Sequence, residues 1–255
     1  MRRVLLAGLL LLTLPTGPAL AERLVVSLSA NRIAIGSNYT GTQLALYGVI
    51  EPDAQTVSRA GPINIVVTIR GPREALTVRQ KEALGPVWLN RSQQKFVAVP
   101  SVLNVVTSAP VTEIVTADLR KRLRIGIEAI VDAPELTFER EGEEDPYRRA
   151  LVRLKTREGL WSENGRGVVF VTPNFFRARL PLPGTVPTGN YDVEVLLLSG
   201  DALLSRRNAS FEVVKTGFEE QISGIAQDHG ILYGLAIAAL SLAFGWTASV
   251  IFRRD

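Results

Sequence analysis

The sequence predicts a mainly β protein: one or two immunoglobulin-like sandwiches with a helical insertion near residues 108–165, on a single C-terminal membrane helix. Three observations predict it. Short β-branched runs alternate with Gly/Pro punctuation up to about Val106 and again after residue 166. Pro187-Thr188-Gly189-Asn190-Tyr191 opens a strand in which Tyr191, Val193, Val195 and Leu197 alternate with Asp192 and Glu194, like the final hairpin of immunoglobulin-like modules. Ile231 to Phe252 is a 22-residue run without a charge, enough at ~1.5 Å per residue to cross a ~30 Å hydrocarbon core.

The elements follow in chain order. Leu24–Leu28, Gln43–Ile50 and Ile63–Ile69 read as strands, separated by Gly36, Gly41 and Gly61-Pro62. Val78, Val87-Trp88-Leu89 and Phe96–Val99 continue the pattern at short spacing. Val111, Val115, Leu119, Leu123 and Ile127 then recur every four residues, predicting one amphipathic helix. Asp145-Pro146 is an N-cap with proline at the first helical position, and Tyr147, Ala150, Leu151 and Leu154 form the apolar stripe of a second helix that stops at Gly159. Gly167–Val171, Phe175–Leu180 and the hairpin from Tyr191 to Val214 restore the β pattern. The resulting division is an N-terminal β-sandwich region over 22–107, a helical insertion over 108–165, a C-terminal β region over 166–214 and a juxtamembrane connector over 215–230. The membrane helix over 231–252 and a tail over 253–255 complete it.

Met1-Arg2-Arg3, the 11 apolar residues Val4 to Leu14, the breakers Pro15, Gly17 and Pro18, and Ala19-Leu20-Ala21 have the layout of a secretory signal peptide over 1–21. Export followed by a stop-transfer helix places the domain outside. Arg253 and Arg254 after the span, with Glu219, Glu220 and Asp228 before it, agree with the positive-inside rule. The expected location is the inner (cytoplasmic) membrane, single-pass, with a periplasmic domain and a cytoplasmic C-terminus.

The net charge of +4 is misleading. Removing Arg2, Arg3, Arg253 and Arg254 from 29 cations, and Asp255 from 25 anions, leaves Glu22 to His229 with 25 and 24. A near-neutral domain argues against a nucleic-acid binder, which would show a basic face. No cysteine is present, which excludes thiol catalysis and thiolate metal sites. The single histidine, His229, lies at the membrane boundary, so a Ser-His-Asp triad has no base in the exported domain. The acidic stretch Glu139 to Asp145 lacks calcium-loop spacing, and no glycine-rich phosphate loop follows a strand. No catalytic residue, cofactor or metal is expected, and the protein is read as non-enzymatic.

Two sets of residues are candidates for function. Gly234, Ala238, Ser241, Gly245 and Ser249 share one face of the membrane helix, where another helix can approach closely. Arg148, Arg149, Arg153, Lys155 and Arg157, with Arg120, Lys121, Arg122 and Arg124 upstream, offer contacts to an anion or to lipid headgroups. The bland alternative for the second set is a solvated helix face balanced by the acidic stretch before it. Trp88 and Trp161 read as core or strand-edge packing rather than as a sugar platform. His229 reads as an interfacial anchor.

Several segments also carry a family resemblance. They are Ser37 to Thr42, Val66 to Pro72, Gly85 to Asn90, Asp145 to Ala150 with Arg153-Leu154-Lys155, Phe211 to Glu219, Asp228-His229-Gly230, Tyr233-Gly234 and Phe252 to Asp255. Together they make the chain similar, over nearly its whole length, to the alphaproteobacterial putative transmembrane proteins. The resemblance implies a location and no mechanism. Some members are encoded beside multi-pass permeases of the sulfite-exporter type, which implies an integral-membrane transporter as partner. The expected function is that of a membrane-anchored accessory to such a permease; the alternative is a tethered periplasmic module that binds an anion or another solute.

Overall fold

A computed structural model describes residues 23–51, 62–133, 136, 145–216 and 230–251. The expected signal peptide, most of the connector with His229, the acidic residues 139–144 and the tail lie outside the described residues.

The strands are β1 (Arg23–Leu28), β2 (Arg32–Ile35), β3 (Gly41–Glu51), β4 (Ile63–Arg70), β5 (Arg73–Leu84), β6 (Val87–Pro100), β7 (Leu103–Thr107), β8 (Trp161–Asn164), β9 (Val168–Thr172), β10 (Phe175–Pro183), β11 (Gly189–Ser199) and β12 (Ala202–Lys215). The helices are α1 (Val111–Ile114), α2 (Ala117–Leu123), α3 (Ile127–Val131), α4 (Pro146–Arg157) and, after the domain, α5 (Gly230–Ile251).

One sheet is antiparallel throughout, in the order β1-β3-β10-β9. The larger sheet runs β2-β12-β11-β4-β7-β8, with β2 parallel to β12 at one edge and β8 parallel to β7 at the other. Each sheet contains strands from both 22–107 and 166–214, so the two expected β regions build one sandwich.

Alternation explains the first core. Leu44, Leu46 and Ile50 of β3 point inward and meet Ile65, Val67 and Ile69 of β4 and Val193, Val195 and Leu197 of β11. The larger sheet is buried on its other face as well. There Val66, Leu103, Val105, Leu196 and Leu198 pack under α1–α4 and the base of the β5/β6 hairpin. This double burial is why β7 is apolar or buried at every position and why β11 loses its polar alternation after Glu194. The layers are therefore sheet, sheet, and helices with hairpin. Trp161 joins the last two, its indole N–H donating to the Pro100 carbonyl at 3.1 Å.

Three expectations are corrected. The single helix read from Val111 to Ile127 is three short ones. Val115 is extended, Arg124 is left-handed (φ 54°) and Gly126 has φ 90°, so the chain turns twice while Val111, Val115, Leu119 and Ile127 still reach the core. The short strands at 78, 87–89 and 96–99 are parts of two long hairpin arms. Leu154, read as part of the α4 stripe, is 45% exposed, because α4 packs chiefly through Leu151.

α5 has nearly the expected bounds, yet among the described residues no helix is long and apolar enough to cross a membrane, the side chains at 232, 236 and 250 lying outside that description.

Candidate functional site

The basic residues of α4 do not converge. At about 100° per residue, Arg148 and Lys155 flank the buried Leu151 face, while Arg149, Arg153 and Arg157 fall on the far side. Arg148, its side chain 14% exposed, lies 3.4 Å from Asp132 at the end of α3 and 3.6 Å from Asp145. Asp145 also caps the helix by accepting from the Tyr147 amide at 2.8 Å. Lys155 reaches across to Glu74 on β5. These two cations thus pin α4 to its neighbours. Arg149 and Arg153 border a depression of about 350 Å³ that also contains Glu128 and Asp132, so its charge is mixed.

A larger opening lies elsewhere. The helical layer covers Leu196 and Leu198 but stops short of Glu194 and Asp192, leaving a cleft of about 910 Å³ over that end of the larger sheet. Its floor comes from β4, β11 and β12, one wall from the hairpin base with Arg73, and the opposite wall from the end of α2 with Arg122 and Arg124. Glu194 sits between two guanidinium groups, 2.9 Å from Arg70 and 3.3 Å from Arg206. Among the described residues, five arginines and two carboxylates, Glu194 and Asp192, line the cleft.

Two backbone distortions shape the rim. Ala98 has φ 57° at a register shift in the β5/β6 pairing, and Arg124 caps α2 in the left-handed conformation. Both residues line the opening. Arg124, Arg122 and Lys121 also place positive charge at the negative end of a short helix.

The chemistry on offer is recognition of negative charge. Guanidinium forks suit planar or tetrahedral oxyanions. Burial pushes the phenols of Tyr191 and Tyr39 up from their ordinary value, so both stay protonated at neutral pH and neither is a base there. No group of three or more His, Asp or Glu side chains able to hold a metal occurs among the described residues.

The small-residue positions read in the sequence lie on α5. At about 100° per residue, Gly234, Ala238, Ser241, Gly245 and Ser249 fall within an arc of about 80°. Ser241 donates to the Ile237 carbonyl of its own helix at 2.8 Å, which satisfies its hydroxyl without a neighbour. The face is therefore a smooth surface more than a polar one. The helix itself is uncharged over all 22 residues, Gly230–Ile251, and the family model described as putative transmembrane protein (Alph_Pro_TM) matches residues 23–254.

The chain belongs to that family. Its description puts a membrane protein behind the fold and names no activity. No curated protein and no solved structure matches the chain. Within the family frame, the cleft is the feature that sequence reading missed: Arg70, Arg73 and Arg206 carried no local signal, because they come together only through strand pairing. One hint was available. Asp192 and Glu194 occupy the polar side of an alternating strand, and a strand-end arginine such as Arg70 is the partner they require.

Proposed function

We propose that the protein is a non-enzymatic β-sandwich module held at the inner membrane by α5, with its domain in the periplasm and its C-terminus in the cytoplasm, where it acts as an accessory to an integral membrane protein. The observation that carries this reading is the uncharged 22-residue helix at the end of a member of a transmembrane family. Over the full sequence, with Leu232, Ala236 and Val250 included, the run Ile231 to Phe252 has at ~1.5 Å per residue the length of a bilayer core. Its narrow arc of small residues supports close packing against another helix. The signal-like N-terminus and Arg253-Arg254 support the orientation.

The sandwich supports an immunoglobulin-like assignment. The orders β1-β3-β10-β9 and β12-β11-β4 correspond to the ABED and GFC sheets of that fold, and β7 adds the strand beyond C. The Tyr191 hydroxyl donating to the Pro187 carbonyl at 2.7 Å has the form of a tyrosine corner. Such modules serve as interaction domains on many folds' worth of partners, so this likeness bears on role only by analogy. The outer face of the smaller sheet supports an interaction role directly: Val25, Tyr47, Val49, Val169 and Val171 are 40–58% exposed across it.

The permease partner is tested by affinity purification of the full-length chain and of a chain with polyleucine in place of residues 231–252. Co-purification of a multi-pass protein with the first and not the second supports the reading. Equal recovery with both, or with neither, contradicts it.

The cleft favours a second reading, a tethered module that binds an oxyanion. Sulfate or phosphate, matched against chloride at equal ionic strength, is expected to raise the thermal midpoint of the full chain, and Arg73→Ala with Arg122→Ala to abolish the rise. An equal rise in the double variant rules out the cleft.

A further inference from the structure

The β5/β6 hairpin is a continuation of the β4/β7 ladder beyond the end of the sandwich. The Gly71 amide donates to Val102 at 2.8 Å and the Ser101 amide to Pro72 at 2.9 Å, and pairing runs on from Arg73↔Pro100 to Leu84↔Val87. Val78, Phe96 and Val99 anchor the base in the second core. From residue 79 to 93 no side chain is buried, so the outer part projects as a bare two-stranded ribbon, with about 20 Å from Arg79 to the tip at ~3.3 Å per residue.

The tip is apolar where water should favour polar side chains. Leu84, Val87, Trp88 and Leu89 are 66%, 53%, 69% and 47% exposed. Pairing puts Leu84, Val87 and Leu89 on one face and Trp88, opposite Ala83, on the other. A flat protein surface can cover only one of these faces. Immersion end-on removes both from water. Behind the tip stand Arg79, Lys81, Arg91 and Lys95 against one carboxylate, Glu82, which Arg91 already pairs at 3.5 Å. An apolar tip bearing tryptophan with a cationic collar has the chemistry of an anionic bilayer surface.

The register places this ribbon at one particular end of the molecule. Arg70 lies opposite Asp192, and Gly189 opposite Val213, so the end of β4, the start of β11 and the end of β12 coincide. The ribbon therefore leaves from the end at which the chain departs toward α5, which begins 15 residues after Lys215.

We propose that Leu84, Val87, Trp88 and Leu89 insert into the headgroup layer of the bilayer that holds α5, with Arg79, Lys81, Arg91 and Lys95 against anionic phosphates. This rests on the membrane-anchoring reading above. A second foothold fixes the tilt of the domain, and because the base of the same ribbon walls the arginine cleft, it also sets how that cleft faces the membrane.

The chain has no cysteine, so single labels are clean. Val87→Cys at the tip, Ala202→Cys at the opposite end of the sandwich and Ala239→Cys in α5 are each labelled with an environment-sensitive fluorophore. The full chains are reconstituted into phosphatidylethanolamine/phosphatidylglycerol vesicles containing a lipid-borne quencher. Labels at 87 and 239 are expected to be quenched about twofold or more and the label at 202 to be unaffected. Exchanging phosphatidylglycerol for phosphatidylcholine is expected to weaken quenching at 87 and leave 239 unchanged. Quenching at 239 with a label at 87 that behaves like 202 overturns the hairpin proposal alone. A label at 239 that escapes quenching overturns the anchor, and the proposal with it.

Discussion

Tyr191 is held from three sides. Its ring stacks on Phe211 at 4.9 Å, its hydroxyl donates to Pro187, and its edge lies where a Cβ on Gly71 would come within 2.9 Å. Tyr191→Phe keeps the stacking and loses the hydrogen bond, so urea unfolding should show about 1 kcal/mol less stability. Burial also sets a pH dependence. The folded phenol is raised above its ordinary value of 10.0, so the unfolded chain releases its proton first. Stability from this group is complete below about pH 10 and falls as pH climbs above it, and Tyr191→Phe should flatten that alkaline slope. Tyr39, shifted the same way, leaves a residual slope. A second position is sterically decisive. A Cβ on Gly48 would come within 2.1 Å of the buried Phe176 ring, so Gly48→Ala should cost about 1–3 kcal/mol, and adding Phe176→Leu should recover part of it. Neither effect was visible in the sequence, where Gly48 is one small residue inside a strand. What it accommodates is 128 positions away, across a pair of strands whose register no local pattern states.

At the scale of elements, local signals were reliable and continuity was not. Asp145-Pro146 announced α4 correctly because capping is a short-range hydrogen bond, and the strand opening at Gly189 was legible because Tyr191, Val193 and Val195 alternate cleanly. The run Val111 to Ile127 kept the right inward face but concealed two turns, since an arginine in the left-handed conformation leaves no mark on periodicity. Val78 and Phe96 looked like separate strands for a related reason: most of the ribbon joining them is exposed on both faces and has no alternation to read. The cap offers a test of α4. Asp145→Ala removes the bond to the Tyr147 amide and one of the two carboxylates beside Arg148, and should lower stability by about 1 kcal/mol or more. Asp145→Asn keeps an acceptor for the amide and should lose less, as measured by chemical denaturation of the two variants side by side. Equal losses would place the effect in the ion pair rather than the cap.

For the whole molecule, the larger sheet is the organising layer. It is covered by the smaller sheet on one face and by the helices and hairpin base on the other, and both the arginine cleft and the chain's exit toward α5 lie at the end where that second cover stops. The sequence disclosed the β class and the uncharged helix because each is carried by composition over a window. The cleft was hidden because Arg70, Arg73, Arg122 and Arg206 meet only after four segments have folded together. The proposed membrane anchoring would give this arrangement its direction, with sandwich and cleft outside and helix in lipid. Labelling intact spheroplasts with a membrane-impermeant maleimide, using Ala202→Cys and Asp255→Cys in otherwise cysteine-free chains, tests it most directly. Modification is expected at 202 in intact spheroplasts and at 255 only after lysis. Modification at 255 with 202 protected would contradict it.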